Sequence, residues 1–333
     1  MLIMNLKEAY NGKKILITGG LGFIGSNLAI KLVDFGADVT IMDARLKPYG
    51  FNEFNIFPIE GRVKLDFSDI RDRKKVEQEV QDKDLIFNLA AQLDSSLSLK
   101  EPLLDIDINC CGTINVLEAC KNYNPGAKII FPGSRMQYGR IKTLPVKESH
   151  PMNPLTIYAT DKVTAESYHR IYYEQFGLDT TVLRLTNPYG PMAQIKNPAY
   201  AIVSWFIRQS LEGKDITIYG KGEQKRDYIY IDDLTEVFAL MGLNQESSGK
   251  AYNLGSGTST SLDEIANKIV DITKSGRVIY VPWPQNAKNI ETGDFVADVS
   301  AVRKLFNWEP KFSIEEGLKR TIEFYRENIN HYL

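Results

Sequence analysis

The chain has 333 residues, 43% apolar and 25% charged, a balance that excludes intrinsic disorder and suits one large α/β core carrying a smaller lobe. A net charge of −2 gives no electrostatic reason to expect nucleic acid or an anionic membrane as partner. The opening "MLIMNLKEAYNGKK" has no continuous apolar segment before its charges, and no later run approaches the roughly 18 apolar residues of a spanning helix, so a cytoplasmic location is expected.

In chain order, short β-branched runs alternate with longer amphipathic stretches, the pattern of β-α units that build a parallel sheet. The predicted strands are "KILIT" (14–18), "DVTIMD" (38–43), "RVKLD" (62–66), "DLIFNL" (84–89), "AKIIF" (127–131) and "DTTVLRL" (179–185). Between them, "FIGSNLAIKLVDFG", "PLLDIDINCCGTINVLEACKNY" and "IYATDKVTAESYHRIYYEQFG" have the length and 3.6-residue period of helices, the last ending on a glycine. The fold class is a doubly wound α/β sheet over residues 1–186, with a smaller mixed α/β lobe over 187–333 packed at the carboxyl ends of its strands. That lobe reads as short elements such as "DITIYG" and "RDYIYIDDL", and a capping box opens a helix at Ser261-Leu262-Asp263-Glu264. Three cysteines, Cys110, Cys111 and Cys120, have no metal-ligand spacing to a histidine; they read as small buried hydrophobes, and no metal is expected.

The turn after the first strand carries the first chemical signal. "LITGGLGFIGSNLA" places Gly19, Gly22 and Gly25 between strand and helix, and Gly20-Leu21-Gly22-Phe23-Ile24-Gly25 also satisfies Gly-x-Gly-x-x-Gly. Such glycines allow a tight turn and close backbone approach, so that amides at the positive helix end can hold a pyrophosphate. No lysine follows the last glycine, which excludes a nucleoside-triphosphate loop. The second strand ends at Asp43, where a carboxylate accepts ribose hydroxyls and repels a 2′-phosphate; NAD is therefore expected over NADP, with Arg45 nearby weakening the inference.

Tyrosine and lysine stand four apart three times: Tyr10/Lys14, Tyr138/Lys142 and Tyr158/Lys162. The first pair spans Gly12 and runs into a strand, and the second contains Gly139 in a loop-like stretch. Only Tyr158/Lys162 lies in a long helical pattern, where this spacing stacks side chains on one face. Upstream, "AKIIFPGS" delivers Ser134 to the carboxyl edge of the sheet. A free tyrosine, with a pKa of about 10, is too weakly acidic to act as a base, but an adjacent ammonium and a nicotinamide cation favour its phenolate. Ser134 then orients a substrate hydroxyl while Tyr158 takes its proton.

With these residues the chain resembles the extended short-chain dehydrogenase/reductases of the nucleotide-sugar epimerase and dehydratase group, over nearly its whole length. The resemblance implies cofactor roles for Asp69 and Ile70 in "DFSDIRD" at the adenine, and for Leu89, Ala90 and Ala91 in "FNLAAQ". It implies that Asn109 steadies the helix beside the active site. It also implies that Asn187 in "LRLTNPYGP" and Arg226 in "GKGEQKRDYIYIDDL" hold the diphosphate of a nucleotide sugar, a suitable task for a guanidinium. The alternative for Arg226 is a structural salt bridge near Asp227. Relatives with Arg-Pro-Gly-Asp before the last substrate loop differ from "KNIETGDFVAD" here; Lys288 is the candidate substitute for the absent arginine. The loop from Asp294 to Asp298 is also shorter than in galactose epimerases, so their rule for sugar size does not transfer.

Hexose 4,6-dehydratases of the group resemble Thr-Asp-Glu at the Ser134 position and the two after it, whereas this chain reads Ser134-Arg135-Met136. Without those carboxylates, the expected activity is NAD-dependent epimerisation, at C4, of a nucleotide-diphosphate sugar through a transient keto-sugar. A 4-keto-sugar reductase or a dehydratase stays open, as does a dinucleotide-binding sensor without catalysis. A homodimer that pairs the helix beginning near Glu101 with the Tyr158 helix is expected from the apolar stripe Ala165, Tyr168, Tyr172 and Phe176.

Overall fold

The strand Lys14–Thr18 (β1) follows from its residues: Ile15, Leu16 and Ile17 are apolar, two of them β-branched, and all are fully buried. The computed structural model describes residues 5–47, 50–199 and 201–333, and sets a short helix, Leu6–Tyr10 (α1), ahead of that strand. Residues 1–4 of the opening stretch lie outside the described residues. After β1 come the helix Phe23–Asp34 (α2), the strands Asp38–Met42 (β2) and Lys64–Asp66 (β3), and the helix Arg73–Glu79 (α3). The strand Leu85–Asn88 (β4) leads to two short helices, Ser95–Ser98 (α4) and Pro102–Ile106 (α5), then a π-helical turn over Asp107–Cys111 and the helix Gly112–Tyr123 (α6). The strand Lys128–Ser134 (β5), the helix Ile157–Phe176 (α7) and the strand Thr180–Leu185 (β6) follow. Every predicted strand is present, and β5 runs beyond Phe131 to Ser134. The π turn interrupts what the periodicity of 102–123 predicts as one helix.

Farther on lie β7 (Asn187–Tyr189), α8 (Ile202–Leu211), β8 (Ile216–Tyr219), β9 (Lys225–Arg226), β10 (Tyr228–Tyr230), α9 (Ile231–Leu243) and β11 (Lys250–Leu254). The main sheet has seven strands in the order β11-β6-β5-β4-β1-β2-β3, and the pairs β1–β2, β1–β4, β2–β3 and β4–β5 are parallel. The order reverses between β1 and β4, which opens a crevice at the carboxyl edge of a doubly wound sheet. One apolar cluster joins Leu16, Ile86, Val116, Leu117, Ile129 and Tyr172.

The chain forms two compact units, each discontinuous in sequence. The first comprises the chain through Ser134 with Ile157–Arg184 and Thr235–Ala251; the second comprises Arg135–Thr156, Leu185–Leu234 and Tyr252–Leu333. In the second, β7 pairs with β10 and β8 with Val278–Val281, both in parallel. The helix Leu262–Thr273 (α10) begins with the predicted capping box: Ser261 Oγ accepts from Glu264 N while the Glu264 carboxylate accepts from Ser261 N.

Two expectations change here. Cys110 and Cys120 are buried but Cys111 is exposed, because adjacent helical positions cannot both face the core. The stripe proposed as a partner face is largely covered by the chain's own core: Ala165 packs with Phe131 and Val182, Tyr172 joins the main cluster and Tyr168 lies against it. Phe176 alone of the four is exposed. Among the described residues, no helix is long and apolar enough to cross a membrane.

Gly242 in α9 offers a stability test. Helix propensity favours alanine there by about 1 kcal/mol. A Cβ, however, would stand 2.5 Å from the hydroxyl of buried Tyr10 and 2.6 Å from Leu85 Cδ2. Overpacking at about 1–3 kcal/mol outweighs the propensity gain. Gly242→Ala should therefore lower the urea midpoint, and a raised midpoint would show that α1 yields to the methyl group.

Candidate active site

The loops after the parallel strands of the first unit hold most of the predicted residues. Gly19 has φ +68°, and a Cβ on it would fall 2.8 Å from Ala90 Cα. A Cβ on Gly25 would meet the Gly19 carbonyl oxygen at 2.4 Å, and one on Gly22 would meet it at 3.3 Å. At positions 19 and 25 the turn therefore closes only on glycine. Gly22 is the N-cap of α2 and supplies no capping side chain; Phe23 and Ile24, both half-buried, form its first turn. Asp43 follows β2, its carboxylate accepting from Leu21 N at 3.1 Å and Arg45 N at 2.9 Å, while burial pushes its pKa upward. Asp69, after β3, holds Arg71 at 2.7 Å, and Ile70 is buried against Gly112. Leu89, Ala90 and Ala91 follow β4; Ala90 N donates to Thr18 Oγ1 at 3.1 Å. Asn109, on the π turn, bonds both backbone groups of Gln92, tying α5 and α6 to this loop.

The predicted catalytic set lies on β5 and α7. Ser134 is the last residue of β5, half-buried. Tyr158 and Lys162 share α7, which ends at Gly177 with φ +70°. Tyr158 N donates to Ser98 Oγ at 3.1 Å, fixing the first turn of α7 to α4. Lys162 is only 2% exposed. Its Nζ donates to the carbonyl of Pro132 at 3.0 Å and stands 4.5 Å from the Phe131 ring centroid. Burial pulls its pKa down to about 8, while the nearby charge of Asp105 acts in the opposite sense. Neither other pair has this arrangement: Tyr10 and Lys14 fall on α1 and β1, and the Tyr138 hydroxyl donates to Asn253.

The second unit holds the phosphate candidates. Asn187 Oδ1 accepts from Arg135 Nε at 3.0 Å, and its Nδ2 donates to the Asp227 carbonyl at 2.9 Å. Arg226 forms an ion pair with Glu291 and donates to the Gly293 carbonyl at 2.8 Å. Asp227 plays no part in that ion pair; its carboxylate accepts from Ser256 N, Gly257 N and Ala297 N. Lys288 is exposed on the short helix Gln285–Asn289, and among the described residues no side-chain bond joins it to Asn187 or Arg226. Sequence reasoning missed two features: the Glu291 partner of Arg226, and a buried carboxyl contact between Asp105 and Asp161 beside Lys162. Neither has a local spacing that announces it. Among the described residues, no group of three or more His, Cys, Asp or Glu is placed to hold a metal ion.

The glycine turn, the acidic residue after β2 and the small residues after β4 fit a dinucleotide. The buried Asn88 Nδ2 at this edge has no hydrogen-bond partner among the described residues. A family model described as GDP-mannose 4,6 dehydratase matches residues 16–321. The chain belongs to this family, the extended short-chain dehydrogenase/reductases of the nucleotide-sugar epimerase and dehydratase group. A putative UDP-glucose 4-epimerase of Methanocaldococcus jannaschii is 34% identical over 318 residues, covering 94% of this chain and 99% of its own. A UDP-N-acetyl-alpha-D-glucosaminuronate decarboxylase of Bacillus cytotoxicus is 32% identical over 329 residues, covering 95% and 98%. The structure of Thermus thermophilus UDP-glucose 4-epimerase in complex with NAD matches with a TM-score of 0.84 at 27% identity, covering 94% of this chain and 99% of that one.

The close approach at Gly25 generates a test of the dinucleotide turn. Gly25→Ala forces backbone against backbone, at about 1–3 kcal/mol, so calorimetric affinity for NAD should fall roughly tenfold or more. Unchanged affinity would place the dinucleotide elsewhere.

Proposed function

We propose that the protein is an NAD-dependent nucleotide-sugar epimerase acting at C4. The observation that carries this reading is the set Ser134, Tyr158 and Lys162 followed by Arg135 and Met136 rather than a carboxylate pair. Elimination of water needs a base for the C5 proton and an acid for the C6 hydroxyl, which arginine and methionine do not supply at neutral pH. Epimerisation needs one proton-transfer group at the C4 hydroxyl. In this reading Tyr158 takes that proton and later returns it, the buried Lys162 charge favours the phenolate, and Ser134 orients the oxygen. NAD, when bound, accepts a hydride from the sugar carbon and returns it to the opposite face. The glycines 19, 22 and 25 with Phe23 and Ile24 would hold its pyrophosphate, Asp43 its ribose, Asp69 and Ile70 its adenine end, and Leu89, Ala90 and Ala91 its flank. Asn187, Arg226 and Lys288 are the proposed diphosphate contacts.

We also propose a homodimer through α5 and α7. Leu103 is 79% exposed, with Leu99 at 51% and Ile106 at 38%, while α7 presents Ile171 at 40% and Phe176 at 51%. These residues replace the mostly covered stripe as the candidate partner face. Sedimentation should show a dimer at micromolar concentration, weakened by Leu103→Glu; a monomeric wild type would remove the proposal.

The reaction is tested with a panel of UDP-, dTDP-, GDP- and CDP-hexoses, read by mass spectrometry and proton NMR. The expected product has the substrate's mass and takes up no carbon-bound deuterium in heavy water. Tyr158→Phe should lower turnover by about 10² or more with little loss of NAD affinity. Loss of water or carbon dioxide, or net consumption of NADH with a 4-keto sugar, would overturn the epimerase in favour of a dehydratase, a decarboxylase or a reductase. Tighter binding of NADP than NAD would overturn the role given to Asp43.

A further inference from the structure

Between the two residues of the catalytic pair lies Asp161, and its surroundings are unusual for a carboxyl group. It is 5% exposed, and no donor reaches its buried Oδ2. Its carboxyl meets that of Asp105, which is fully buried on α5. Asp105 already accepts amide donors on both oxygens: Asn109 Nδ2 to Oδ1 at 2.9 Å and Gln92 Nε2 to Oδ2 at 2.5 Å. Those donors occupy both oxygens of Asp105, whereas Asp161 has only the weakly donating Cys110 thiol beside the Asp105 contact. Two buried carboxylates in contact without a cation between them repel, so one proton must bridge the pair, and it belongs to Asp161.

We propose that Asp161 is a positioning residue of the Tyr158–Lys162 pair: through its proton it ties α7 to Asp105 on α5 at the catalytic turn, and it sets the charge beside the Lys162 ammonium. Burial and the Asp105 contact push the Asp161 pKa up to about 7, so the bridge dissolves near neutrality. The ionisable groups facing the pair are Cys110 on the π turn and Lys162 and Tyr168 on α7. The Cys110 thiol, pushed up to about 12 chiefly by burial, stays neutral through this range. Above pH 7 the shared proton leaves to solvent and the pair becomes a dianion. The carboxyl–carboxylate bond is then lost, and a second negative charge is buried beside α7. Because the folded-state pKa lies above the ordinary carboxyl value, stability falls as pH rises from about 4 to about 7, where the folded group keeps a proton that the unfolded chain has released.

The turnover part of the test rests on the epimerase reading; the spectroscopic part does not. Asp161→Asn keeps a donor toward Asp105 but cannot ionise. Above pH 7 wild-type turnover should fall with two ionisations, those of Asp161 and Lys162, and Asp161→Asn turnover with one. By about pH 8.5 the variant should retain roughly tenfold more of its neutral-pH turnover than the wild type. Asp161→Ala, which loses the bond, should depress kcat at every pH with KM little changed, and asparagine should restore it. Infrared difference spectra of the wild type between pH 6 and 8.5 should show one buried protonated carboxyl disappearing, a signal absent from Asp161→Asn. Identical pH profiles in wild type and Asp161→Asn, or no such carboxyl band, would overturn the proposal. If no nucleotide sugar is turned over, the functional reading fails while the infrared titration still decides the pair.

Discussion

Burial of the Lys162 ammonium is the constraint to which the first unit answers. An isolated charge in a protein interior is expensive unless hydrogen bonds and opposite charge replace its water. The replacements come from three separate elements: the Pro132 carbonyl and Phe131 ring from β5, the Asp105 charge from α5, and the frame of α7 that carries the lysine. Each must sit correctly for the others to work. The amides of Asn109 and Gln92 hold Asp105 in place, and the same two residues tie the π turn to the loop after β4. The buried cation thus organises the packing around it.

That arrangement suits a lysine needed as a charge and not as a base. Burial draws the ammonium pKa down to about 8, close enough to neutrality that loss of the opposing Asp105 charge would shift more of it to the neutral amine. The environment works as a balance: desolvation favours the neutral amine, and the carboxylate keeps the ammonium charged. Lys128 shows the contrast within the same unit. It is also buried, but its ammonium is held at 2.6 Å by Asp179, which neutralises it within a structural ion pair.

In the second unit, the residues suited to a diphosphate are already engaged. Arg226 is paired with Glu291 and bonded to the Gly293 carbonyl, and Asn187 is held between Arg135 and the Asp227 backbone. Glu291 also accepts from Gly293 N at 2.9 Å, so its carboxylate is oriented by its own loop before it meets the guanidinium. An anion binding at Arg226 would compete with that carboxylate for the guanidinium.

How much of this was legible in the sequence depends on the distance over which each feature is encoded. β1, the glycine turn, Asp43 and the Tyr158–Lys162 face are local: a strand period, a Gly-x-Gly-x-x-Gly spacing and a four-residue helical repeat identify them within a few residues. The partners that tune them are not local. Asp105 reaches Asp161 from another helix, and Glu291 reaches Arg226 from 65 residues farther along the chain, so no spacing rule marks either pair. The π turn at Asp107–Cys111 was hidden because its residues continue the apolar pattern of the helices on both sides, though it is what carries Asn109 to Gln92. β11 was missed because it joins the sheet beside β6, far from its neighbour in the chain. Local pattern marks the candidate groups, and tertiary contacts set the charge around them.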